Sequence, residues 1–288
     1  MPTVERTTIA LAVLMLLACS PTAAEDVFGL FPECRFAAPE SPEGGEEEDE
    51  IETDRDSFTL ATGVVGDRHL VLEAAYSFVD NRRVPETHSL PELIARYGIG
   101  DRFELRFGYN YEVGGAGNPI SGNVPDEFEE TTDLERGSRV IYGAKWQVSH
   151  QRGWKPESSV AIDAYTPLTG IDTATQLSTT YVFGWANRTD WKWDSAIRFG
   201  TGAFEDDSFN IWSPSTVVKF PLGENWEGHV EYFSVNTDGR VSESSQHFIS
   251  PGTHYLINPN LEVGIRVGWG LNQQAPGFFS NIGTGLRF

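Results

Sequence analysis

The most constraining feature of this sequence is an alternation, with a period of two residues, between apolar and polar side chains. Residues 102–112 show it clearly, because the apolar set is Phe103, Leu105, Phe107, Tyr109 and Tyr111, and the polar set is Arg102, Glu104, Arg106, Asn110 and Glu112. Neighbouring side chains of a β-strand point to opposite faces, so such a segment has one apolar face and one charged face. The pattern recurs about twelve times between His69 and Phe288. Each segment has about 9–12 residues, the length that a tilted strand needs to cross a bilayer.

Two architectures are compatible with this alternation. In a soluble β-sandwich the apolar faces pack inward, so alternation alone does not decide. Here a single strand carries Lys192, Asp194 and Arg198 on its polar face, which suits a hydrated or ion-paired barrel interior. Tyr and Trp lie toward the ends of the apolar faces, as at Trp191 and Trp193, where a bilayer would meet water. The sequence therefore predicts an all-β protein, an antiparallel up-and-down transmembrane β-barrel of about 12 strands, with a soluble sandwich or jelly roll as the alternative.

The connections between these strands alternate in length along the chain. Short ones lie at 98–101, 186–190, 222–225 and 258–260, and the longer ones mostly lie at 80–87, 113–137, 167–174, 202–208 and 236–245. Outer-membrane barrels have short turns on the periplasmic side and longer loops outside. Both ends of the barrel would then be periplasmic. Residues 57–64 would be one strand too many, so we interpret them as a lead-in that lies in the periplasm or inside the lumen.

The first residues resemble an export signal. Residues 1–24 contain an early arginine, an apolar stretch at 9–18 too short to span a bilayer, and small residues before Glu25, as in a secretory signal peptide. Residues 16–19 also resemble a bacterial lipobox, which would make Cys19 a lipidated residue. Residues 1–24 are therefore predicted to be removed, with cleavage either after the small residues or at Cys19.

An acidic segment follows the predicted signal. The formal net charge of the chain is −21, and much of it lies within residues 40–56. Like charges repel and the segment offers little to bury, so residues 25–56 are predicted to form a disordered acidic tether. The barrel domain is then residues 57–288. The acidity argues against nucleic acid as a partner.

Residues that could carry chemistry are few. The sequence contains no hydrolase, metalloprotease, phosphate-loop or dinucleotide motif. His88, Ser89 and Asp172 could be cast as parts of a hydrolase, but turn chemistry explains them more simply. His229 lies between Glu227 and Glu231 on one strand face, where hydration or ion pairing in a lumen is favoured over a divalent cation. We therefore predict no catalytic residue, no metal, no cofactor and no enzymatic activity.

The inward-facing charged residues are the candidate functional residues. They are Glu104, Arg106, Lys145, Asp163, Lys192, Asp194, Arg198, Glu231, Arg266 and Arg287. Rings of such groups along a lumen set its preference for ions and solutes. The alternative is that they pair across the strands and close a small barrel. Twelve strands leave a lumen between those of side-chain-filled eight-stranded barrels and of open porins, so a selective or plugged channel is expected.

Several stretches resemble one bacterial family. Residues 53–59, 88–92 and 96–106, with the ending 280–288, are similar to the outer-membrane "transporter" family labelled putative meta-pathway of phenol degradation. The resemblance covers residues 51–288 and implies a bacterial outer-membrane barrel that passes hydrophobic or aromatic compounds. The terminal Phe288 resembles the signal that outer-membrane assembly machinery recognises.

The expected function is passive passage of small molecules across an outer membrane. The expected partners are membrane lipid, a small-molecule solute and the barrel-assembly machinery. A non-conducting structural or adhesive barrel and an outer-membrane lipase or esterase remain as alternatives.

Overall fold

The computed structural model of the protein describes residues 50–121, 132–170, 174–204, 207–240 and 243–288. The predicted signal peptide, Cys19 and most of the predicted tether lie outside the described residues. The strands are β1 (Leu70–Asp80), β2 (Thr87–Ile99), β3 (Phe103–Gly114), β4 (Glu135–Ser149), β5 (Glu157–Thr169), β6 (Gln176–Ala186), β7 (Lys192–Phe204), β8 (Asp207–Pro221), β9 (Trp226–Asp238), β10 (Ser245–Asn258), β11 (Leu261–Gly270) and β12 (Phe278–Arg287).

These strands form one closed barrel, in which each strand pairs antiparallel with its neighbours in the chain. The barrel closes where β1 pairs with β12, from Val71 opposite Arg287 to Asp80 opposite Phe278. Closure leaves no strand edge with unpaired backbone groups. The prediction of a 12-stranded antiparallel up-and-down barrel is confirmed, and the soluble sandwich is wrong. Among the described residues, no helix has the length and apolar composition needed to cross a bilayer.

The two faces of the barrel wall have opposite chemistry. On the outer face large apolar side chains are exposed, for example Phe107 at 62% and Trp146 at 58%. On the inner face Glu104 and Lys145 have 0% exposure. A water-soluble domain buries mainly apolar side chains and exposes charged ones, whereas a barrel in lipid presents an apolar band outside and polar groups inside.

Aromatic pairs lie at both ends of the outer face. Trp185 and Trp193 have ring centroids 5.8 Å apart at one end, and Trp269 and Phe278 have centroids 6.1 Å apart at the other. Trp has an apolar ring with a polar N–H group and prefers the boundary between lipid and water. The two aromatic zones therefore delimit the apolar band.

The two ends of the barrel also differ in their connections. We call the end with the turns at 100–102, 187–191, 222–225 and 259–260 the short-turn end, and the opposite end the long-loop end. The loop predicted at 202–208 is mostly strand, because β7 and β8 stay paired from Gly202 opposite Phe209 to Phe204 opposite Asp207. Paired backbone groups extend these two strands beyond the stretch that side-chain alternation marks.

Candidate functional site

A segment that is not part of the wall lies inside the barrel. Residues 50–64, which we call the lumen segment, enter at the short-turn end, where the amide of Ile51 donates to the carbonyl of Pro259 at 2.9 Å. Asp54 and Ser57 have 0% exposure and Leu60 has 2%. The sequence predicts a disordered tether through residue 56, but in the structure residues 51–56 are packed within the lumen. The difference arises because their charges pair with residues far away in the sequence.

Asp54 is at the centre of a charged cluster, which consists of Asp54 and six wall residues: Glu73, Arg96, Glu104, Arg106, Lys145 and Asp163. The Asp54 carboxylate lies 3.4 Å from Arg96 Nε and 3.3 Å from Lys145 Nζ. It also accepts a hydrogen bond from Arg106. One aspartate therefore connects strands β2, β3 and β4 through the interior.

The wall residues of the charged cluster also pair with one another. Glu104 accepts two hydrogen bonds from Arg96, each at 3.0 Å. Arg96 also donates to Glu73 at 3.0 Å, and Arg106 donates to Asp163 at 3.0 Å. Buried charges are tolerated only when they are paired and hydrogen-bonded. The cluster meets that condition across five adjacent strands, β1 to β5.

Glu52, Asp54 and Asp56 of the lumen segment have pKa values below their usual range. Burial raises the pKa of Asp54, but Arg96, Lys145 and Arg106 outweigh it and hold that pKa well below normal. For Glu52, burial likewise raises the pKa, while Lys192, Lys219 and Lys145 bring it down to about 2. Since nearby positive charge favours the ionised form, the segment carries its full negative charge at neutral pH.

Glu231 of β9 holds the lumen segment from the other side of the barrel. Its carboxylate accepts hydrogen bonds from the amides of Phe58 at 2.9 Å and Thr59 at 2.7 Å. Arg198 donates to the Phe58 carbonyl at 3.3 Å and lies 4.5 Å from the centroid of the Phe58 ring. These bonds satisfy backbone groups that have no strand partner, so the segment can remain buried without joining the sheet.

An aromatic layer lies near the long-loop end, inside the barrel. It consists of Phe58, Val79, Ile120, Phe209, Ile211, Phe233, Val235, Phe248, Ala275 and Phe279. The Phe58 ring stacks on Phe233 with centroids 4.4 Å apart, and Phe233 stacks on Phe248 at 4.6 Å. The lumen segment thus contributes one ring to an apolar stack that the wall strands β8, β9, β10 and β12 otherwise build.

A second element folds inward from the long-loop end. In the connection between β3 and β4, Asn118 donates to Ser89 at 2.8 Å and to Glu92 at 2.9 Å. Arg266 of β11 donates to the Ile120 carbonyl. Ile120 itself belongs to the aromatic layer. The lumen is therefore occupied both by the segment that precedes β1 and by part of this loop.

Most of the predicted lumen residues lie around the lumen segment. Glu104, Arg106, Lys145 and Asp163 belong to the charged cluster, and Arg198 and Glu231 bind the segment near Phe58. Lys192, with a half-exposed side chain, lies 3.2 Å from Glu52.

The remaining three predicted residues are placed differently from one another. Arg266 lies 3.3 Å from Glu231. Asp194 is buried and lies beside Gly184. Arg287 lies at the short-turn rim, where it donates to Asn260 at 2.7 Å.

Sequence reasoning missed several residues of the site. Glu92 and Arg96 alternate with apolar residues on β2, so the signal used elsewhere would have found them. Glu92 pairs with Arg55 of the lumen segment at 2.9 Å. Asp54 and Asp56 gave no such signal, because acidic residues in an acidic run are indistinguishable from a solvated tether until their partners are known.

The residues considered for a hydrolase do not converge. His88 and Ser89 are neighbours on β2, so their side chains point to opposite faces. His88 is exposed and its Nδ1 lies 2.8 Å from the Tyr76 hydroxyl, whereas Ser89 is buried. Asp172 lies outside the described residues. The pair His88 and Ser89 therefore cannot act together as base and nucleophile.

Comparison with known proteins gives the fold and the family. No curated protein sequence matches the chain. An outer membrane channel from Pseudomonas putida F1 has a TM-score of 0.53 and 11% identity, covering 83% of this chain and 100% of that one. The translocator domain of the autotransporter NalP from Neisseria meningitidis has a TM-score of 0.49 and 10% identity, covering 78% and 90%. The NanC porin has a TM-score of 0.47 and 9% identity, covering 75% and 98%.

The likeness to the Pseudomonas putida channel shows a shared barrel fold. A family model shows the family as well as the fold. It matches residues 53–288, which include the lumen segment from Thr53 onward and all twelve strands. The chain belongs to the family described as "Putative MetA-pathway of phenol degradation".

Proposed function

We propose that this protein is an outer-membrane channel for small molecules and that the lumen segment holds it closed. The observation that carries the proposal is that the barrel wall surrounds a separate stretch of chain held by side-chain contacts. Residues 50–64 are joined to the wall by hydrogen bonds and ion pairs, and no strand pairing includes them. Such contacts can be exchanged for water without breaking the barrel.

The membrane location follows from the outer face. Large apolar side chains are exposed along most strands, including Phe107 at 62% and Ile162 and Ile282 at 55%. A barrel with this surface would aggregate in water, whereas lipid covers it. The family to which the chain belongs and the barrel's likeness to an outer membrane channel support the same location.

The aromatic layer favours the proposal that the solute is a small aromatic or hydrophobic molecule. Phe233, Phe248 and Phe279 line the lumen with rings, and Phe58 of the lumen segment occupies the position that a solute ring would take on Phe233. Offset or stacked rings gain about 0.5–1.5 kcal/mol beyond the burial of their area. The family description, which names phenol degradation, agrees with that solute class.

The charged cluster favours a second candidate, a structural barrel that conducts nothing. Glu104, Arg106 and Lys145 have at most 2% exposure, so water has no access to them in this conformation. A permanently closed barrel would have the same contacts. Only a measurement of transport separates the two candidates.

Reconstitution in planar bilayers is the test. The wild-type protein should conduct weakly, and a variant in which residues 50–64 are replaced by a Gly/Ser linker of equal length should conduct strongly. Uptake into liposomes of benzenesulfonate, an aromatic anion that lipid alone excludes, should exceed uptake of a sugar of similar size. Barrel assembly of each protein is checked by heat-modifiable migration on gels. An assembled linker variant that passes neither inorganic ions nor benzenesulfonate would overturn the channel and support the structural barrel.

A further inference from the structure

Two histidines and an aspartate meet where the lumen segment contacts the wall. His229 is on β9, His254 is on the neighbouring β10, and Asp56 belongs to the lumen segment. One potential ligand atom of each lies within 4.8 Å of those of the other two. The imidazoles are almost fully buried, with exposures of 2% and 6%. Three ligand groups from three separate parts of the chain therefore converge on one point.

His229 is buried without a hydrogen bond. Neither of its ring nitrogens has a partner among the described residues, although burying an unpaired polar group is costly and uncommon. The fold makes room for this ring, because Gly252 lies directly opposite His229 in the β9–β10 register. A Cβ at that position would lie 2.4 Å from both Cε1 and Nε2 of the imidazole. The ring is thus held in place with its nitrogens unused.

His254 has the arrangement of a metal ligand. Its Nδ1 has no hydrogen bond and lies 3.8 Å from Oδ2 of Asp56. Its Nε2 lies 3.5 Å from Oε2 of Glu227. Histidines that bind metals usually offer one nitrogen to the metal and the other to a carboxylate, which orients the ring. Glu227 is in position to orient His254 in this way.

We propose that Asp56, His229 and His254 bind one divalent transition-metal ion of the Zn²⁺ type. Imidazole nitrogens and a carboxylate oxygen are ligands that such ions accept, at about 2.0–2.2 Å from the metal. Small shifts of the three side chains bring the ligand atoms to that distance. A water molecule would complete the fourth position.

Lys219 competes with the metal. Its Nζ lies 2.9 Å from Oδ2 of Asp56, so the carboxylate already has a cationic partner. Asp56 keeps its second oxygen, which accepts a hydrogen bond from Ser57 at 3.2 Å. Removal of the positive charge in Lys219→Met should therefore tighten metal binding.

The metal would join the lumen segment to the wall. Two ligands come from adjacent wall strands and the third from the segment, so metal binding should favour the conformation in which the lumen is filled. This regulatory role rests on the proposed channel function, whereas metal binding itself does not.

Metal binding is tested directly on the full-length barrel, purified without a polyhistidine tag and assembled in detergent. Calorimetry with Zn²⁺ should give one site per chain, and Co²⁺ should give the visible absorption of a nitrogen- and oxygen-ligated ion. Changes in groups around a metal's ligands typically cost about 10- to 100-fold in affinity, so His229→Ala, His254→Gln and Asp56→Ala should each weaken Zn²⁺ binding by more than about 100-fold. His247→Ala, in which a histidine of β10 outside the cluster is removed, is the matched control and should bind as the wild type does.

Absence of a Zn²⁺ site in the wild type, or equal affinity in assembled His229→Ala and His254→Gln variants, would overturn the proposal. Conductance is then measured with Zn²⁺ and after its removal by EDTA. Zn²⁺ should lower conductance in the wild type and in His247→Ala, but not in His229→Ala. Binding without any conductance in any variant would leave the site standing and overturn the channel. Conductance that Zn²⁺ does not change, despite binding, would overturn the regulatory role.

Discussion

The charged cluster and the aromatic layer fill the same lumen by different physical means. The cluster lies on β1 to β5 toward the short-turn end, and the layer lies mainly on β8 to β12 toward the long-loop end. Asp54 belongs to the first and Phe58 to the second, only four positions apart in the chain. One short segment is therefore held at one end by directional ion pairs and at the other by apolar packing.

The two regions differ in how they would respond to water if the lumen segment left the barrel. The wall part of the charged cluster has three basic residues, Arg96, Arg106 and Lys145, and three acidic ones, Glu73, Glu104 and Asp163. Its charges balance without Asp54, and water can solvate them. The aromatic layer, by contrast, would lose the ring on Phe233 and expose an apolar gap. The first region tolerates water, and the second favours a replacement ring.

The largest effect is expected from breaking the charged side of this comparison with Asp54→Ala. Removing one partner from a buried ion-pair network costs about 3–5 kcal/mol. Here that cost destabilises only the closed conformation, because the charges of the wall balance without Asp54 once the lumen segment is released. Open probability in single-channel recordings should rise steeply. Glu50→Ala removes the same charge from an exposed position on the same segment and is the control. Equal open probability in Asp54→Ala and the wild type would show that the cluster does not hold the segment.

A smaller effect is expected from the aromatic side with Phe58→Ala. Truncating a buried Phe costs about 3 kcal/mol at the low end of the measured range, and loop or wall side chains can relax into the space. Closed times should shorten, and benzyl alcohol should lengthen them again by filling the gap on Phe233. Phe58→Leu keeps most of the apolar volume and should behave almost as the wild type. If benzyl alcohol has no effect on Phe58→Ala, the layer is not a site for rings.

The smallest and most gradual effect is expected from acid, which should act on the charged contacts of the lumen segment and leave the aromatic layer unchanged. Glu52, Asp54 and Asp56 each have a lower pKa when the lumen segment is in place, because lysines and arginines surround them despite their burial. Their ionised forms stabilise the closed conformation fully at pH values above the pKa of the released segment. This stabilisation is lost as the pH falls toward the lowered pKa. For Glu52 that window runs from 4.5 down to about 2.

Conductance should therefore rise below a pH of about 4.5, by at most about tenfold per pH unit for each group. The aromatic layer has no titrating side chain, so Phe58→Ala should change closed times equally at neutral and acid pH. Asp54→Ala should reduce the response to acid. An unchanged response in Asp54→Ala would show that the acid effect does not arise from the charged cluster.

Sequence reasoning reached the wall of the barrel and gave the lumen as one of two places for residues 57–64, but it did not reach the contacts that hold them there. Strand alternation with a period of two places Glu104 and Arg106 inside and Phe107 outside without any knowledge of partners, because the period is a property of each strand alone. Phe233 and Phe279 escaped that reasoning, since each follows an aromatic residue, Tyr232 and Phe278, and two neighbouring apolar residues hide which one faces inward. The ion pairs of Asp54 escaped it for another reason, because they join residues up to 91 positions apart, a relation that exists only once the barrel has closed.

The lumen segment is covalently continuous with β1 through residues 65–69. A segment that leaves the lumen therefore remains attached at its mouth, and its return is an intramolecular step whose rate does not depend on protein concentration. Short flexible connections give effective concentrations in the millimolar range. A free peptide with the sequence of residues 50–64 would have to be present at about millimolar concentration to compete for the lumen, which makes each barrel the dominant source of its own blocker.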